Sequence, residues 1–278
     1  MNGSFSREGY LHENYRLFHL RDQLGQERDF HFHDFDKIVI HLSGRVDYLV
    51  ERMTCHMRPG SVLLVKSHTI HKAIIDQSVP YERIILYLSG KYAERTIPNA
   101  GLMECFERAD KQGHYLLTPD ADSWARLRHL MDELEQAGSD SQFGAQALRD
   151  TLVIQSLILI NRVSLNSSEP DEIPAPQYDP KISDTLSFIN ENLAADLTVE
   201  RLAERVFLSK YHFMRFFKAE TGSTVHAYVR QRRLLYAAHL IRTGVPVNKA
   251  AVESGFRDYS TFFRAFRESF GVSPNQLK

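Results

Sequence analysis

Two stretches near the C-terminus are versions of one another, and this duplication restricts the fold more than any other feature of the chain. LTVERLAERVFLSKYHFMRFFKAETGSTV (197–225) aligns with VPVNKAAVESGFRDYSTFFRAFRESFGVSP (245–274). Val199 falls on Val247, Ala203 on Ala251 and Leu208 on Phe256 at an offset of 48. One extra residue then sets Ser209 on Asp258, Phe213 on Phe262, Arg215 on Arg264, Phe217 on Phe266 and Gly222 on Gly271 at 49. Each copy reads as a short helix with a small residue in its middle, a tight turn, a capping Ser or Asp, and a second helix ended by glycine. A small residue lets two helices cross closely, and the capping oxygen accepts from the free N–H groups of the next helix. The pattern predicts two helix-turn-helix units.

Helical spacing sorts the residues of each second helix. In the later copy Phe262, Ala265, Phe266, Ser269 and Phe270 share one face, while Ser260, Arg264 and Arg267 lie opposite, flanked by Tyr259 and Phe263. In the earlier copy Phe213, Phe216 and Phe217 are expected in the core, leaving Tyr211, Met214, Arg215 and Lys218 outward. Arginines on a helix usually do no more than stay solvated. Here the unit occurs twice and the Arg recurs at the same helical position. The charge is also uneven: residues 181–278 hold 15 Lys and Arg against 9 Asp and Glu, a net +6, and residues 1–180 hold 19 against 26, a net −7. That asymmetry points the C-terminal part at a polyanion.

The pattern GF-x-D-x-S-x-F-x-R-x-F-R-x-x-x-G-x-S-P, from Gly255 to Pro274, resembles the signature of AraC/XylS-type transcription regulators. The earlier LA…S…F…RFFK…TG and the joining RQRRLLYAAHLI (230–241) match the rest of that family's DNA-binding domain. The resemblance implies two helix-turn-helix units joined by a long helix, roughly 225–243, with both recognition helices presented to successive major grooves. A helix of that length spans about 28 Å, compatible with units one DNA turn (about 34 Å) apart. Carried over by position, Tyr211, Met214 and Arg215 in the first unit and Tyr259, Ser260, Phe263 and Arg264 in the second would face base edges. Lys210, Lys218 and Arg267 would neutralise phosphates. Two departures stand out: Ala250 replaces a larger aliphatic residue, and Phe263 is apolar for an exposed flank.

The N-terminal half is built differently. DKIVIHL, RVDYLVE, SVLLVKS and YERIILYL are short strand-like runs separated by turn signals at Ser43-Gly44 and Pro59-Gly60, which favours a small antiparallel barrel or sandwich. Helical patterns begin at Asp120, first DADSWARLRHLMDELEQAG and then SQFGAQALRDTLVIQSLILINRV, where Leu148, Leu152, Gln155, Leu159 and Val163 follow at steps of three or four. The apolar arc of the second helix is wider than one barrel face requires, so it either packs on its own sheet or is shared between two subunits. The Pro- and Ser-rich SLNSSEPDEIPAPQYDP marks a linker. The expected layout is α+β: a cupin-like barrel in 1–119, a helical, dimerising segment in 120–165, a linker in 166–180, and an all-α domain of two helix-turn-helix units in 181–278.

HFHDFDKIVIHLSG (31–44) and the later PGSVLLVKSHTIH (59–71) look like the two cupin half-motifs, H-x-H-x(3)-E-x(6)-G and PG…H, which fits the AraC family's usual sensor barrel. In metal-dependent cupins three histidines and the glutamate hold a transition metal. Here Lys37 occupies the glutamate position, and a protonated ammonium repels a cation. His31, His33 and His71 remain as a candidate three-histidine metal set. The favoured expectation is that His31, His33, Lys37, His41 and His71 line a barrel mouth for a small polar effector, with Lys37 selecting an anion such as a carboxylate. No cofactor is expected beyond that candidate metal.

Cys55 and Cys105 have no metal-type spacing, the polar start MNGSFSREGY lacks the apolar run of a signal peptide, and no apolar run approaches the roughly 20 residues of a membrane span. These features predict a cytoplasmic chain. The resemblance implies a non-catalytic, effector-controlled regulator that binds double-stranded DNA as a homodimer, with RNA polymerase as a candidate partner, while activator and repressor stay open as alternatives. The competing reading is a metal-dependent cupin enzyme carrying an accessory DNA-binding domain.

Overall fold

The computed structural model describes residues 6–7, 11, 13–23, 31–51, 53–67, 69–167, 179–242 and 244–277. Along the chain run β1 (Ser6–Arg7), β2 (Tyr15–Asp22), β3 (His31–Phe32), β4 (Asp36–Ser43), β5 (Val46–Val50), β6 (Met53–Met57), β7 (Val62–Val65), β8 (His71–Ile75), β9 (Tyr81–Leu88), α1 (Gly90–Thr96), α2 (Glu104–Gln112), β10 (Leu116–Leu117), α3 (Ala121–Ala137), α4 (Ala145–Asn166), α5 (Pro180–Glu191), α6 (Val199–Arg205), α7 (Lys210–Thr221), α8 (Val225–Arg242), α9 (Val247–Glu253) and α10 (Tyr259–Phe270), then a 3-10 turn, Pro274–Gln276. They form two compact units. Residues 33–167 and the strand β2 make one, and the helices from α5 onward make the other, with the short parallel pair β1 and β3 grouped with them.

The N-terminal unit carries two antiparallel sheets. One runs β10-β7-β4-β9-β2 and the other includes β8-β5-β6. β4 lies between β7 and β9 and is buried along most of its length, which is why its sequence reads as an unbroken apolar run around Ile38, Val39 and Ile40 rather than as an alternation. β2 sits at the sheet edge and alternates. The β4–β5 turn depends on Gly44, whose φ is +95°. A Cβ there would stand 2.5 Å from the Pro80 carbonyl oxygen, so only glycine lets the turn meet the start of β9.

Helices α3 and α4 pack together against the sheets. Asp120 caps α3 by accepting from the Ser123 N–H at 2.7 Å. His19 on β2 joins α3 to the sheet: Nδ1 lies 3.0 Å from Glu135 and Nε2 lies 3.1 Å from Glu82. α4 is held by Asp150, whose Oδ1 accepts from the Tyr15 hydroxyl at 3.0 Å, the Tyr92 hydroxyl at 2.9 Å and Gln146 Nε2 at 2.8 Å. Burial, reinforced by the Asp150 bond, pushes the Tyr15 phenol up to about 12. At its other end Asn161 accepts from the Cys105 N–H and donates to the Leu102 carbonyl, fixing α4 to α2.

The buried residues of α4 are Leu152, Val153, Ser156, Leu157, Ile160 and Ser164, beside Ala145 at its start. That face differs from the expected line through Leu148, Leu152, Gln155, Leu159 and Val163. Leu148 and Gln155 are exposed, as is Ile158. Apolar residues occur on every side of the helix, mixed with polar ones, so its periodicity could not choose a face. Helices α1 and α2 and the short β10 fall within the segment expected to be barrel. Among the described residues no helix is long and apolar enough to cross a membrane.

Candidate functional site

The two repeats of the C-terminal unit are closed by the same devices. Ser209 Oγ accepts from the His212 N–H at 3.4 Å and Asp258 Oδ1 from the Thr261 N–H at 2.7 Å. Those bonds from Thr261, side chain first, hold the Asp258 carboxyl below the usual carboxylate range. Gly222 and Gly271 end α7 and α10 with identical dihedrals, φ 71° and ψ −4°, and their N–H groups donate to Lys218 and Arg267 carbonyls. Ala203 and Ala251 are buried where α6 meets α7 and α9 meets α10.

The phenylalanines hold the helices and the cations face out. Phe213 and Phe217 are fully buried, and Phe217 meets Tyr228 of α8 edge-on at 5.7 Å. Phe262, Ala265, Phe266 and Phe270 form the corresponding buried stripe. Phe216, expected in the core, is only half-buried because it lies to one side of the Phe213–Phe217 stripe. On the outer face of α7, Tyr211 is 85% exposed, with Met214, Arg215 and Lys218 beside it. On α10 Tyr259, Ser260, Arg264 and Arg267 are exposed and Phe263 is half-buried, its ring 6.2 Å from that of Tyr259.

Not every cation of this unit is free for an anion. Lys210 is paired with Glu200 across the α6–α7 turn, and that hydrogen bond moves the ammonium pKa up and the carboxyl pKa down. Arg205 donates twice to Asp184 at 2.9 and 3.0 Å and lies 4.4 Å over the Phe188 ring. A cleft of about 570 Å³ opens along α7 and is lined by Tyr211, Arg215 and Lys218 together with His212 and, from the start of α8, Thr224 and His226. The two histidines and Thr224 carry no sequence signature of their own. Only the fold brings the start of α8 beside α7.

The N-terminal unit gathers a second group of polar side chains. Strand alternation puts Lys37 and His41 on one face of β4. His71 donates from Nδ1 to the Thr69 carbonyl at 3.0 Å, which leaves Nε2 as an acceptor 3.5 Å from Lys37 Nζ. The same Nζ lies 5.7 Å from the Tyr48 ring centroid. His33 donates from Nδ1 to the Phe35 carbonyl at 2.6 Å, stacks on the Phe35 ring and meets the His71 ring edge-on at 4.8 Å. Further along, His41 meets Tyr81 at 5.5 Å, and among the described residues neither of its ring nitrogens reaches a partner in hydrogen-bond geometry. Burial lowers its pKa, with the backbone at Ser43, Arg58 and Gly44 opposing.

Two corrections to the sequence reading follow. The polar group lies in the interior rather than at a mouth: Lys37 is 7% exposed and His71 fully buried. His31, on β3, is buried as well. The donor set also does not suit a metal ion, since the Lys37 ammonium occupies the His71 lone pair that a metal would need. Among the described residues no group of three or more His, Cys, Asp or Glu is disposed to hold one. Phe35, Tyr48, Tyr81 and Tyr87 pack their rings against these side chains, and sequence patterning gave no reason to single them out.

Comparison with known proteins agrees with this architecture. The family described as an AraC-like ligand binding domain matches residues 17–157, just over half of the chain, and a helix-turn-helix domain family matches residues 202–278. The chain belongs to the AraC family of DNA-binding transcription regulators. This AraC-family chain is 26% identical over 251 residues to the HTH-type transcriptional activator RhaS of Enterobacter sp. (strain 638), a span of 89% of this chain and 86% of the relative. It is 25% identical over 249 residues to RhaS of Klebsiella pneumoniae (strain 342), with the same shares covered. Among solved structures, the DNA-binding domain of AdpA, crystallised with a target DNA, is 29% identical over 35% of this chain and 89% of that one, at a TM-score of 0.34. Fatty-acid-bound ToxT from Vibrio cholerae is 16% identical over 96% of this chain and 97% of that one, at a TM-score of 0.37.

Proposed function

We propose that α7 and α10 enter two successive major-groove segments of one duplex. Arg215 and Arg264 would read base edges at equivalent places, Tyr211, Met214, Tyr259, Ser260 and Phe263 would contact bases around them, and Lys218 and Arg267 would hold phosphates. The observation that carries this reading is the recurrence of an outward Arg on two identically capped helices joined by α8, whose 18 residues span about 27 Å. Lys210 reaches a phosphate only by releasing Glu200. Fluorescence anisotropy with promoter fragments tests the assignment. Binding should weaken steeply with salt and fall by about 100-fold or more in the Arg215→Ala, Arg264→Ala double variant. Salt-independent binding, or binding unchanged by that variant, would sink it.

The N-terminal unit is the sensor in this reading. A small molecule bearing a carboxylate or similar anionic group displaces the His71 contact and takes the Lys37 ammonium, with the surrounding Tyr and Phe rings covering its apolar part. A thermal-shift screen of organic acids and sugars should find a stabilising ligand whose effect disappears in Lys37→Ala. The domain limits that go with it are 1–119, 120–165, 166–180 and 181–278; most of that linker, residues 168–178, lies outside the described residues.

The protein acts as a homodimer through α4. Leu148, Thr151, Gln155, Ile158, Arg162 and Leu165 are exposed at alternating steps of three and four, the spacing of a coiled-coil seam. Ile158→Glu should halve the mass seen by sedimentation. The likeness to named activators supports a cytoplasmic, non-catalytic protein that raises transcription by engaging RNA polymerase.

A further inference from the structure

The leading loop of the first repeat and the turn of the second meet at one arginine. Arg233, midway along α8, donates from Nε to the Leu193 carbonyl at 2.9 Å and from Nη2 to the Ala195 carbonyl at 2.8 Å. From the other side comes the α9–α10 turn. Gly255 there has φ +91°, and a Cβ on it would stand 2.2 Å from the Leu193 oxygen and 2.8 Å from Arg233 Nε. Two residues on, Arg257 pairs with Asp196 of the same leading loop at 3.1 Å. Burial, then the neighbouring Arg257 charge, lower the Arg233 pKa, and Asp196 opposes them.

This junction joins the first repeat to the second directly, without passing through the ends of α8. Beside the apolar packing of α8 on α9 and α10, two further polar ties between α8 and the second repeat are weaker. Arg230 and Glu268 are an exposed pair at 3.6 Å, and Ser269 meets Gln231 at 3.4 Å. Arg233 is different in kind, because a planar guanidinium with two carbonyls fixed in its fork resists both rotation and sliding. A base pair inserted between two half-sites advances the second by about 3.4 Å and turns it by about 34°. A protein that rejects such a site must hold its two recognition helices at a set distance and a set angle, and a single helix with short turns at each end restrains the angle poorly.

We propose that Arg233 is the positioning residue that sets the half-site spacing this protein accepts, by locking the 193–196 loop to the Gly255 turn. The proposal rests on the two-groove reading of α7 and α10 and adds the origin of its spacing rule.

The experiment uses the full chain and a duplex recovered by it from a random-sequence pool, with versions of that duplex carrying one base pair more or fewer between the two contacted segments. Wild type should lose on the order of 30-fold in affinity for each altered spacing, as expected when one unit's base contacts are forfeited. Arg233→Ala should shrink that penalty to about threefold while still discriminating base changes within each half-site. Arg233→Lys keeps the charge but cannot bridge both carbonyls, and should relax spacing in the same way. It serves as the test if the alanine variant does not fold. Equal loss at all spacings, with the penalty intact, would show a merely structural arginine and overturn the proposal. So would a wild type indifferent to spacing. A pool that yields no bound duplex would instead count against the DNA-binding reading itself.

Discussion

The two helix-turn-helix repeats share caps, C-terminal glycines and buried alanines, yet their turns have opposite surroundings. Phe207 and Gly255 are equivalent by position, and both have positive φ, 57° and 91°. The Phe207 side chain stands 92% exposed, whereas Gly255 has no room for a Cβ at all. Duplication therefore conserved the backbone of the turn, and the contact between repeats decided which side chain each turn tolerates.

The largest expected effect separates the recognition helices. Arg215→Ala and Arg264→Ala should each cost about 10- to 100-fold in affinity, at different base positions, and should add in the double variant because the sites are far apart in the chain and capped independently. Footprints of the two variants would check this, and loss confined to one repeat would break the symmetry assumed between them.

Next comes the turn itself. Gly255→Ala forces a backbone oxygen aside and should destabilise the domain by about 2–4 kcal/mol, while Phe207→Gly should change stability by less than about 1 kcal/mol in either direction. Urea denaturation of both variants measures the contrast directly.

The smallest effects contrast two histidines of the N-terminal unit. For His19 burial acts downward, but the bonds from Glu135 and Glu82 outweigh it and raise the pKa. Its contribution is therefore complete below about pH 6.5, the value of an unperturbed imidazole, and is lost as pH rises through the higher folded value. For His41 burial lowers the pKa, so its contribution is complete above about pH 6.5 and is lost as pH falls. Melting temperatures between pH 5 and 8 should lose their alkaline decline in His19→Gln, by under about 1 kcal/mol for so exposed a cluster. The same scan should lose its acid decline in His41→Leu.

Legibility in the sequence followed the range of the interactions involved. The helix-turn-helix units were readable because caps, small residues and aromatic stripes lie within a dozen residues of one another and occur twice. The double-sheet architecture was readable from apolar strand runs and turn glycines. The face of α4 was not, because apolar residues spread over every side of a helix carry no phase. The pairing of Lys37 with His71 was hidden as well, since it joins β4 to β8 and depends on His71 spending its Nδ1–H on Thr69. Arg233 sat unremarked in a basic run, since the carbonyls that claim it lie about 40 residues earlier.

Asp150 gathers three hydrogens on one oxygen, two of them from tyrosines on β2 and α1. Sliding α4 by a single residue would carry that oxygen about 1.5 Å along the axis and 100° around it, and both phenols would let go together. The helix thus has a detent rather than a spring: a disturbance of β2 or α1 leaves it seated until the catch fails, and then frees it in one step.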